Sequence, residues 1–169
     1  MGHHEHREAA PRSVSVGIIT VSDTRTPATD ESGRLTRDLC EAAGHTIADQ
    51  ILVKDESDAI AAALDRMVRR PGIGAVLING GTGISPRDRT SETVGAALHR
   101  RLDGFGELFR SLSYQKIGPA ALLSRAVGGL IGTTAVFAMP GSPAAVRLAL
   151  ESLILPEIGH IIAEARKDS

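Results

Sequence analysis

Cysteine is nearly absent from this sequence, since Cys40 is the only one among 169 residues. A single thiol cannot form a disulfide within the chain, and it cannot supply a cysteine-based zinc site. Cys40 lies in RLTRDLCEAAGH, whose apolar spacing is helical, and no activating partner for a thiolate is visible in the sequence. We therefore predict that Cys40 is a small buried hydrophobic residue and not a nucleophile.

Aromatic residues and excess charge are scarce as well. Aromatic residues make up 2% of the chain, and the formal net charge is −1. Nucleic-acid-binding surfaces are typically basic and often use aromatic rings for base stacking, so the composition argues against a nucleic-acid partner. No apolar run reaches the ~18 residues of a membrane-spanning helix, and no signal-peptide core opens the chain. We expect a cytoplasmic protein without a membrane partner.

The chain length fits one domain. Residues 1–12 are polar, which predicts a flexible tail, and residues 13–169 form the predicted single domain. His3, His4 and His6 lie in the tail. They could bind a metal, but no pattern around them fixes their positions, and a solvated tail is the simpler interpretation.

Strand and helix patterns alternate along the domain. Four largely apolar, β-branched segments predict buried strands, at residues 13–21, 46–54, 74–79 and 133–139. Helical periodicity is found at 31–45, 57–70, most of 90–125 and from 142 to the C-terminus. This alternation predicts an α/β fold in which helices cover a parallel sheet.

Local signals predict where the helices begin and end. Ser57 and Ser142 are the predicted N-caps, and Gly44 is a predicted C-terminal stop. Pro143 suits the first turn of the last helix, and Pro156 is expected to kink or end that helix. The predicted breaks within 90–125 are Gly104 and Pro119.

In open α/β sheets, ligands bind beyond the carboxyl ends of the strands. The segments that follow the four predicted strands are SDTRT (22–26), KDES (54–57), NGGTGISPRDRT (79–90) and PGSP (140–143). We expect these segments to converge at one edge of the sheet.

The GGTG stretch predicts an anion cradle. Gly80, Gly81 and Gly83 permit positive φ and expose backbone N–H groups, and Thr82 adds a hydroxyl. A second cluster of N–H groups is expected where the last helix begins, after Gly141. Two cradles at one edge indicate a ligand with phosphate groups. The alternative is a glycine-rich turn that serves only tight packing, and the stretch matches neither a P-loop nor a dinucleotide fingerprint.

Three aspartates follow strands and are candidates for metal binding. Asp55 and Asp88 beside a phosphate cradle indicate Mg²⁺-nucleotide chemistry, because Mg²⁺ commonly binds one or two carboxylates together with substrate phosphates. The alternatives are that Asp55 caps the helix at 57 and that Asp88 pairs with Arg87 or Arg89. Asp23 also fits an ordinary turn.

Six motifs resemble the MogA/MoaB family of molybdenum-cofactor biosynthesis, the molybdopterin adenylyltransferases and their close relatives. They are TVSDTR (20–25), DESG (30–33), GGTGISPRDRT (80–90), DGFGELFRSLSY (103–114), LLSRAVGG (122–129) and AMPGSP (138–143). The motifs occur in the family order and cover the chain apart from its tail. The resemblance implies a three-layer α/β/α sandwich with a mostly parallel sheet. It also implies a homotrimer or homohexamer and a contact with the molybdenum-insertion protein.

The same resemblance implies a chemistry. Active family members use Mg²⁺ and ATP to adenylylate molybdopterin, with release of pyrophosphate. The two essential aspartates of the family match Asp55 and Asp88, which would hold Mg²⁺. The expected ligand contacts are Ser22, Asp23, Gly80, Gly81, Thr82, Gly83, Arg87, Pro140, Gly141, Ser142 and Pro143.

Two features leave an alternative open. The family pattern often has Pro-Glu where this chain has Ser91-Glu92. The sequences of the motifs DGFGELFRSLSY and AMPGSP are closer to those of the MoaB branch. Some members of that branch lack the aspartate pair. This chain keeps both aspartates, which favours an active enzyme over a catalytically silent molybdopterin-binding or scaffold protein of the same pathway. Arg125 could reach an anionic ligand or form a surface ion pair.

Overall fold

Six strands form one sheet in the computed structural model, which describes residues 10–167. The strands are β1 (Ser15–Val21), β2 (Thr46–Val53), β3 (Ala75–Asn79), β4 (Arg100–Arg101), β5 (Val127–Ile131) and β6 (Thr134–Met139). Their order in the sheet is β2-β1-β3-β6-β5-β4. The strands β2, β1, β3 and β6 are parallel, whereas β5 is antiparallel to β6 and β4 is antiparallel to β5. The carboxyl ends of the four parallel strands therefore share one edge.

Helices cover both faces of this sheet. They are α1 (Glu31–Ala42), α2 (Ser57–Arg69), α3 (Thr90–Ala97), α4 (Asp103–Ile117), α5 (Pro143–Ala149) and α6 (Leu155–Ala165). A 3-10 helix at Gly118–Leu123 follows α4, and a π turn at Leu150–Ile154 joins α5 to α6. The predicted three-layer α/β/α sandwich with a mostly parallel sheet is confirmed.

Alternation of apolar residues along the strands produces two cores. Ile18, Leu77 and Phe137 face one side and pack against α1, α4 and the α5–α6 run. Ile19 and Ile78 face the other side and pack against α2 and α3. Burial on both faces explains why these strands are almost wholly apolar.

Two strands were missed by the sequence patterns. The strand β5 contains Gly128 and Gly129, which are poor strand formers, but both glycines are required by close packing. A Cβ on Gly128 would lie 2.7 Å from the ring of Phe137, and one on Gly129 would collide with the carbonyl of Arg100. The strand β4 has only two residues, both arginine, and carries no hydrophobic signal.

The helix boundaries confirm some of the local signals and correct others. Ser142 caps α5 by accepting a hydrogen bond from the N–H of Ala145 at 3.2 Å, and Gly44, with φ 89°, follows α1. Ser57 is not an N-cap, because it is the first residue of α2 and Glu56 precedes it. Gly104 does not break a helix, since it lies in the first turn of α4, and the chain leaves helix α3 at Leu98.

The last helical run continues past Pro156. The π turn immediately precedes this proline, which occupies the first turn of α6. Of the two predicted effects of Pro156, an end of the helix is therefore excluded, and the irregularity of the run is the π turn directly before the proline. The histidines of the predicted tail lie outside the described residues, while Pro11 runs along α6 with its carbonyl against Gly159. Within residues 10–167, no helix is long and apolar enough to cross a membrane.

Candidate functional site

The segments after β1, β2, β3 and β6 meet at one edge, as predicted. The N–H of Ser22 donates to the carbonyl of Val53 at 2.9 Å, which joins the first two segments. The N–H of Gly80 donates to the carbonyl of Met139 at 3.0 Å, which joins the other two. The site is therefore built from residues far apart in the sequence that the parallel strands bring together.

Consecutive N–H groups of the GGTG loop are free. The N–H groups of Gly81, Thr82, Gly83 and Ile84 donate no hydrogen bond within the described part of the chain. The carbonyls, in contrast, are engaged: Gly81 accepts from the N–H of Thr90 at 3.0 Å, and Thr82 accepts from the N–H of Arg125 at 2.9 Å. A run of free N–H groups is the arrangement that binds anions.

Glycine is required at two positions of this loop. Gly80 and Gly81 have φ of 103° and 70°. A Cβ on Gly80 would collide with the carbonyl of Val21, and one on Gly81 would lie 2.7 Å from Oδ2 of Asp55. Close packing therefore requires these two glycines, and the same positions leave the backbone of the loop exposed.

Asp55 is 7% exposed and lies beneath this loop. Its Oδ1 accepts a hydrogen bond from the N–H of Arg89 at 2.9 Å, so it does not cap α2. Burial raises the pKa of Asp55, the N–H of Arg89 opposes this shift, and the charges of Asp88 and Asp23 add to it. The site thus contains a carboxylate that would be stabilised by a cation.

Asp88 lies against the other part of the loop. Its Oδ2 accepts from the N–H of Ser85 at 2.7 Å and would be 2.8 Å from a Cβ on Gly83. Asp88 forms no ion pair with Arg87 or Arg89, in contrast to the alternative interpretation. Asp55 Oδ2 and Asp88 Oδ1 accept no hydrogen bond within residues 10–167.

These two oxygens are chemically suited to Mg²⁺, which prefers carboxylate ligands. The described residues contain no group of three or more Asp, Glu, His and Cys side chains that could hold a metal by themselves. A cation at Asp55 and Asp88 would need further oxygens from a ligand or from water. A site that offers only one or two carboxylates typically binds Mg²⁺ together with substrate phosphate groups and water.

Arg87 reaches across the site to Asp23. Its Nε lies 3.0 Å from Asp23 Oδ2, and its Nη2 lies 2.9 Å from Asp23 Oδ1. The N–H of Asp55 donates to Asp23 Oδ1 at 3.1 Å, and this bond, with Arg87, lowers the pKa of Asp23. Lys54 adds a bond from its ammonium to the carbonyl of Asp23 at 2.9 Å. Positive charge therefore lies at the mouth of the site.

Ser22 has a turn-forming position. Its Oγ accepts hydrogen bonds from the N–H groups of Thr24 and Arg25, at 3.2 and 3.1 Å. These bonds shape the loop after β1 and orient Arg25 towards the PGSP turn.

Residues that the site prediction did not include hold the PGSP turn. Arg25 donates to the carbonyl of Gly141 at 3.0 Å and to Ser32 Oγ at 2.6 Å, and Ser32 Oγ also contacts the carbonyl of Gly141. Gly141 packs on Gly80, so a Cβ there would lie 3.1 Å from the Gly80 Cα. The N–H groups of Gly141 and Ser142 donate no hydrogen bond within the described residues. Pro140 and Pro143 flank this second cradle, which directly adjoins the first.

Three buried polar atoms at this edge have no hydrogen-bond partner within the described residues: Thr20 Oγ1, Asn79 Oδ1 and Thr90 Oγ1. Thr20 and Asn79 are paired in register at the ends of β1 and β3. Thr90 begins α3 beneath Gly81. Buried polar atoms of this kind normally bond water or a ligand.

Cys40 takes no part in this site. It is fully buried in α1, and burial raises its pKa to about 12. The prediction of a buried thiol is confirmed.

Comparisons with known proteins show sequence similarity to proteins of molybdenum-cofactor biosynthesis. A family model described as "Probable molybdopterin binding domain" matches residues 17–160. Molybdenum cofactor biosynthesis protein B of Bacillus anthracis is 51% identical over 164 residues, which cover 96% of this chain and 97% of the relative. The protein of the same name from Bacillus subtilis (strain 168) is 49% identical, with 99% of each chain covered.

Solved structures agree with the same assignment. A crystal structure of molybdenum cofactor biosynthesis protein B has a TM-score of 0.90 and 50% identity, and covers 92% of this chain and 98% of that one. The tungsten cofactor synthesizing protein MoaB from Pyrococcus furiosus has a TM-score of 0.84 and 35% identity, with coverages of 94% and 100%. The chain therefore belongs to the MogA/MoaB family of molybdenum-cofactor biosynthesis proteins.

Proposed function

We propose that this chain transfers an adenylyl group from Mg²⁺-ATP to the terminal phosphate of molybdopterin. The observation that carries the proposal is the run of free N–H groups at residues 81–84, placed between the carboxylates of Asp55 and Asp88. Free N–H groups suit phosphate oxygens, and carboxylates beside them suit a cation that accompanies those phosphates. The match to a probable molybdopterin binding domain supports molybdopterin as the acceptor.

In this proposal, an oxygen of the pterin phosphate attacks the α-phosphorus of ATP. The bond from the α-phosphorus to the bridging oxygen breaks, and pyrophosphate leaves. Asp55 Oδ2 and Asp88 Oδ1 would hold Mg²⁺, which neutralises charge on the triphosphate and on the leaving pyrophosphate. The reaction requires no side-chain nucleophile, which agrees with the inert Cys40.

The protein's contribution is then positioning and charge stabilisation. The N–H groups of 81–84 would bind phosphate oxygens on one side, and those of Gly141 and Ser142 would bind them on the other. Arg87 would leave Asp23 and pair with a phosphate, to which its planar guanidinium is equally suited. Ser22 and Asp23 would form the wall of the pocket next to the pterin phosphate.

The exposed apolar residues support a proposal of a homo-oligomer. Leu108, Tyr114, Ile117, Leu122 and Leu123 are all more than half exposed, and they lie on α4 and the 3-10 helix after it. An apolar surface of this extent is typical of a subunit contact. Light scattering at several protein concentrations would give a trimer or hexamer, and a monomer throughout would contradict the proposal.

Pyrophosphate release tests the transferase proposal. The purified native chain should release pyrophosphate from ATP only when Mg²⁺ and molybdopterin are both present, and the pterin should gain one AMP by mass. Molybdopterin binding without pyrophosphate release would contradict the transferase. It would identify a binding or scaffold protein of the same pathway instead.

A further inference from the structure

Arg125 holds the GGTG loop from the side opposite its free N–H groups. Its Nε donates to the carbonyl of Gly83 at 2.7 Å, and its Nη2 donates to the carbonyl of Asp88 at 3.3 Å. Its own backbone N–H donates to the carbonyl of Thr82 at 2.9 Å. A single residue therefore engages three carbonyls of the segment that carries the candidate anion cradle and Asp88.

Two residues of α3 hold Arg125 in turn. Its Nη1 pairs with the carboxylate of Glu92, and Ser91 Oγ donates to its carbonyl at 2.7 Å. The hydrogen bond from Arg125 keeps the pKa of Glu92 below its ordinary value.

The geometry of the peptide unit connects these bonds to the ligand side. In a trans peptide, the carbonyl of one residue and the N–H of the next point in opposite directions. Because Arg125 holds the carbonyls of Thr82 and Gly83, the N–H groups of Gly83 and Ile84 point away from Arg125. Those are two of the N–H groups that have no partner within the described residues.

We propose that Arg125, fixed by Glu92 and Ser91, is the positioning residue that presents two N–H groups to phosphate: that of Gly83 through its backbone N–H and that of Ile84 through its guanidinium. Its bond to the carbonyl of Asp88 holds that residue's backbone beside the same cradle. The proposal rests on the proposed function, because it takes the phosphate groups of the nucleotide or pyrophosphate as the ligand. Arg125 itself points at the protein and not at the ligand.

The test is binding of Mg²⁺-pyrophosphate, measured by calorimetry. We expect Arg125→Ala to weaken binding about 10- to 100-fold, because displaced N–H groups no longer converge on the phosphate. Guanidinium ion at millimolar concentration should recover part of the affinity, since it fits the vacated position. Arg125→Lys keeps the charge but loses the planar fork, so it should be about tenfold weaker than the native chain.

Matched variants separate positioning from folding. Glu92→Gln should weaken binding about two- to fivefold, which is typical of a partly exposed ion pair. Arg69→Ala is the matched control. It removes an arginine that pairs with Asp65 on the exposed face of α2, and it should leave the affinity for Mg²⁺-pyrophosphate unchanged. Hydrogen exchange at Gly83 and Ile84 should slow when pyrophosphate is added to the native chain. In Arg125→Lys this protection should be reduced at Ile84 and retained at Gly83, because the backbone N–H of residue 125 still holds the carbonyl of Thr82.

The outcomes distinguish this inference from the transferase proposal. If the native chain binds Mg²⁺-pyrophosphate but forms no adenylylated pterin, the transferase fails and the Arg125 variants still decide the inference. The inference is overturned if the native chain does not bind Mg²⁺-pyrophosphate. It is also overturned if both Arg125 variants bind it like the native chain, or if the alanine variant loses affinity without any recovery by guanidinium.

Discussion

Asp23 accepts two hydrogen bonds from the Arg87 guanidinium, one from Nε at 3.0 Å and one from Nη2 at 2.9 Å. The pair lies at the mouth of the candidate site, where a phosphate would compete with the carboxylate for the same arginine. Arg87→Gln should therefore weaken Mg²⁺-pyrophosphate binding about tenfold, through loss of a charge-assisted pair. Calorimetry at low salt measures this, and an unchanged affinity would exclude Arg87 from the phosphate site.

Removal of the competing carboxylate of Asp23 should raise the affinity for pyrophosphate, whereas removal of Arg87 should lower it. Asp23→Asn removes one negative charge beside the cradle and frees Arg87. We expect pyrophosphate to bind about threefold more tightly in the absence of Mg²⁺, and the gain should shrink as salt rises. The same titration repeated at two salt concentrations tests this, and weaker binding would show that Asp23 serves the ligand directly.

Gly81 is predicted to be irreplaceable in the loop. Gly81→Ala would place a methyl group 2.7 Å from Asp55 Oδ2 at a φ of 70°, so it should cost about 1–2 kcal/mol of stability and displace the carboxylate. Gly104→Ala is the matched control, since nothing lies within 4 Å of its added Cβ. Gly104 lies in the first turn of α4, so its replacement should stabilise the chain by about 0.5–1 kcal/mol. Equal effects of the two substitutions in urea denaturation would contradict the packing argument.

Asp55 should lower the stability of the metal-free protein. Its folded-state pKa is raised above the unfolded value, so ionised Asp55 opposes folding at neutral pH. The penalty disappears as pH falls below the unfolded pKa. Asp55→Asn should therefore raise the Tm by about 2–4 °C at pH 7 without Mg²⁺, and should give no gain in strong acid.

Asp38→Asn is the control for this effect, because Asp38 is an exposed carboxylate on α1. Its Tm should stay close to that of the native chain. Calorimetric Tm values across pH decide the matter, and an Asp55→Asn variant that melts below the native chain at pH 7 would contradict the desolvation argument.

Cys40 should resist alkylation in the folded protein. Its thiol is fully buried, and a pKa of about 12 leaves almost no thiolate at neutral pH. We expect iodoacetamide to label it only after denaturation, and the Cys40→Ala variant to retain pyrophosphate binding. Rapid labelling of the native chain, measured by mass spectrometry, would contradict the buried assignment.

The sequence predicts those parts of the site that strand ends bring together. Asp55, Asp88 and the GGTG and PGSP turns each follow a recognisable strand, so the rule for ligand sites in α/β sheets places them at one edge. The ion pair between Arg125 and Glu92 cannot be predicted in this way, because the two residues are 33 positions apart and no local periodicity connects them. Arg25 and Gly141 are 116 residues apart and are equally invisible.

The fold shows the same division. Apolar strands such as β3 are evident from composition, whereas the glycines of β5 argue against a strand. Gly128 and Gly129 are required by contacts with Phe137 and Arg100, which lie elsewhere in the chain. Pro156 is a related case: the helical run continues through a π turn directly before the proline, and apolar spacing in the sequence does not reveal such a turn.

Single-turnover adenylylation tests the central claim most directly. The native chain, Asp55→Asn, Asp88→Asn and the control Asp38→Asn would each be mixed in excess with molybdopterin, ATP and Mg²⁺, and the adenylylated pterin would be followed by mass. We predict product from the native chain and the control, and a loss of at least ~100-fold in rate for both site variants, with molybdopterin binding retained. Equal rates in all four proteins would contradict the assignment of Asp55 and Asp88, and native binding without product would contradict the transferase itself.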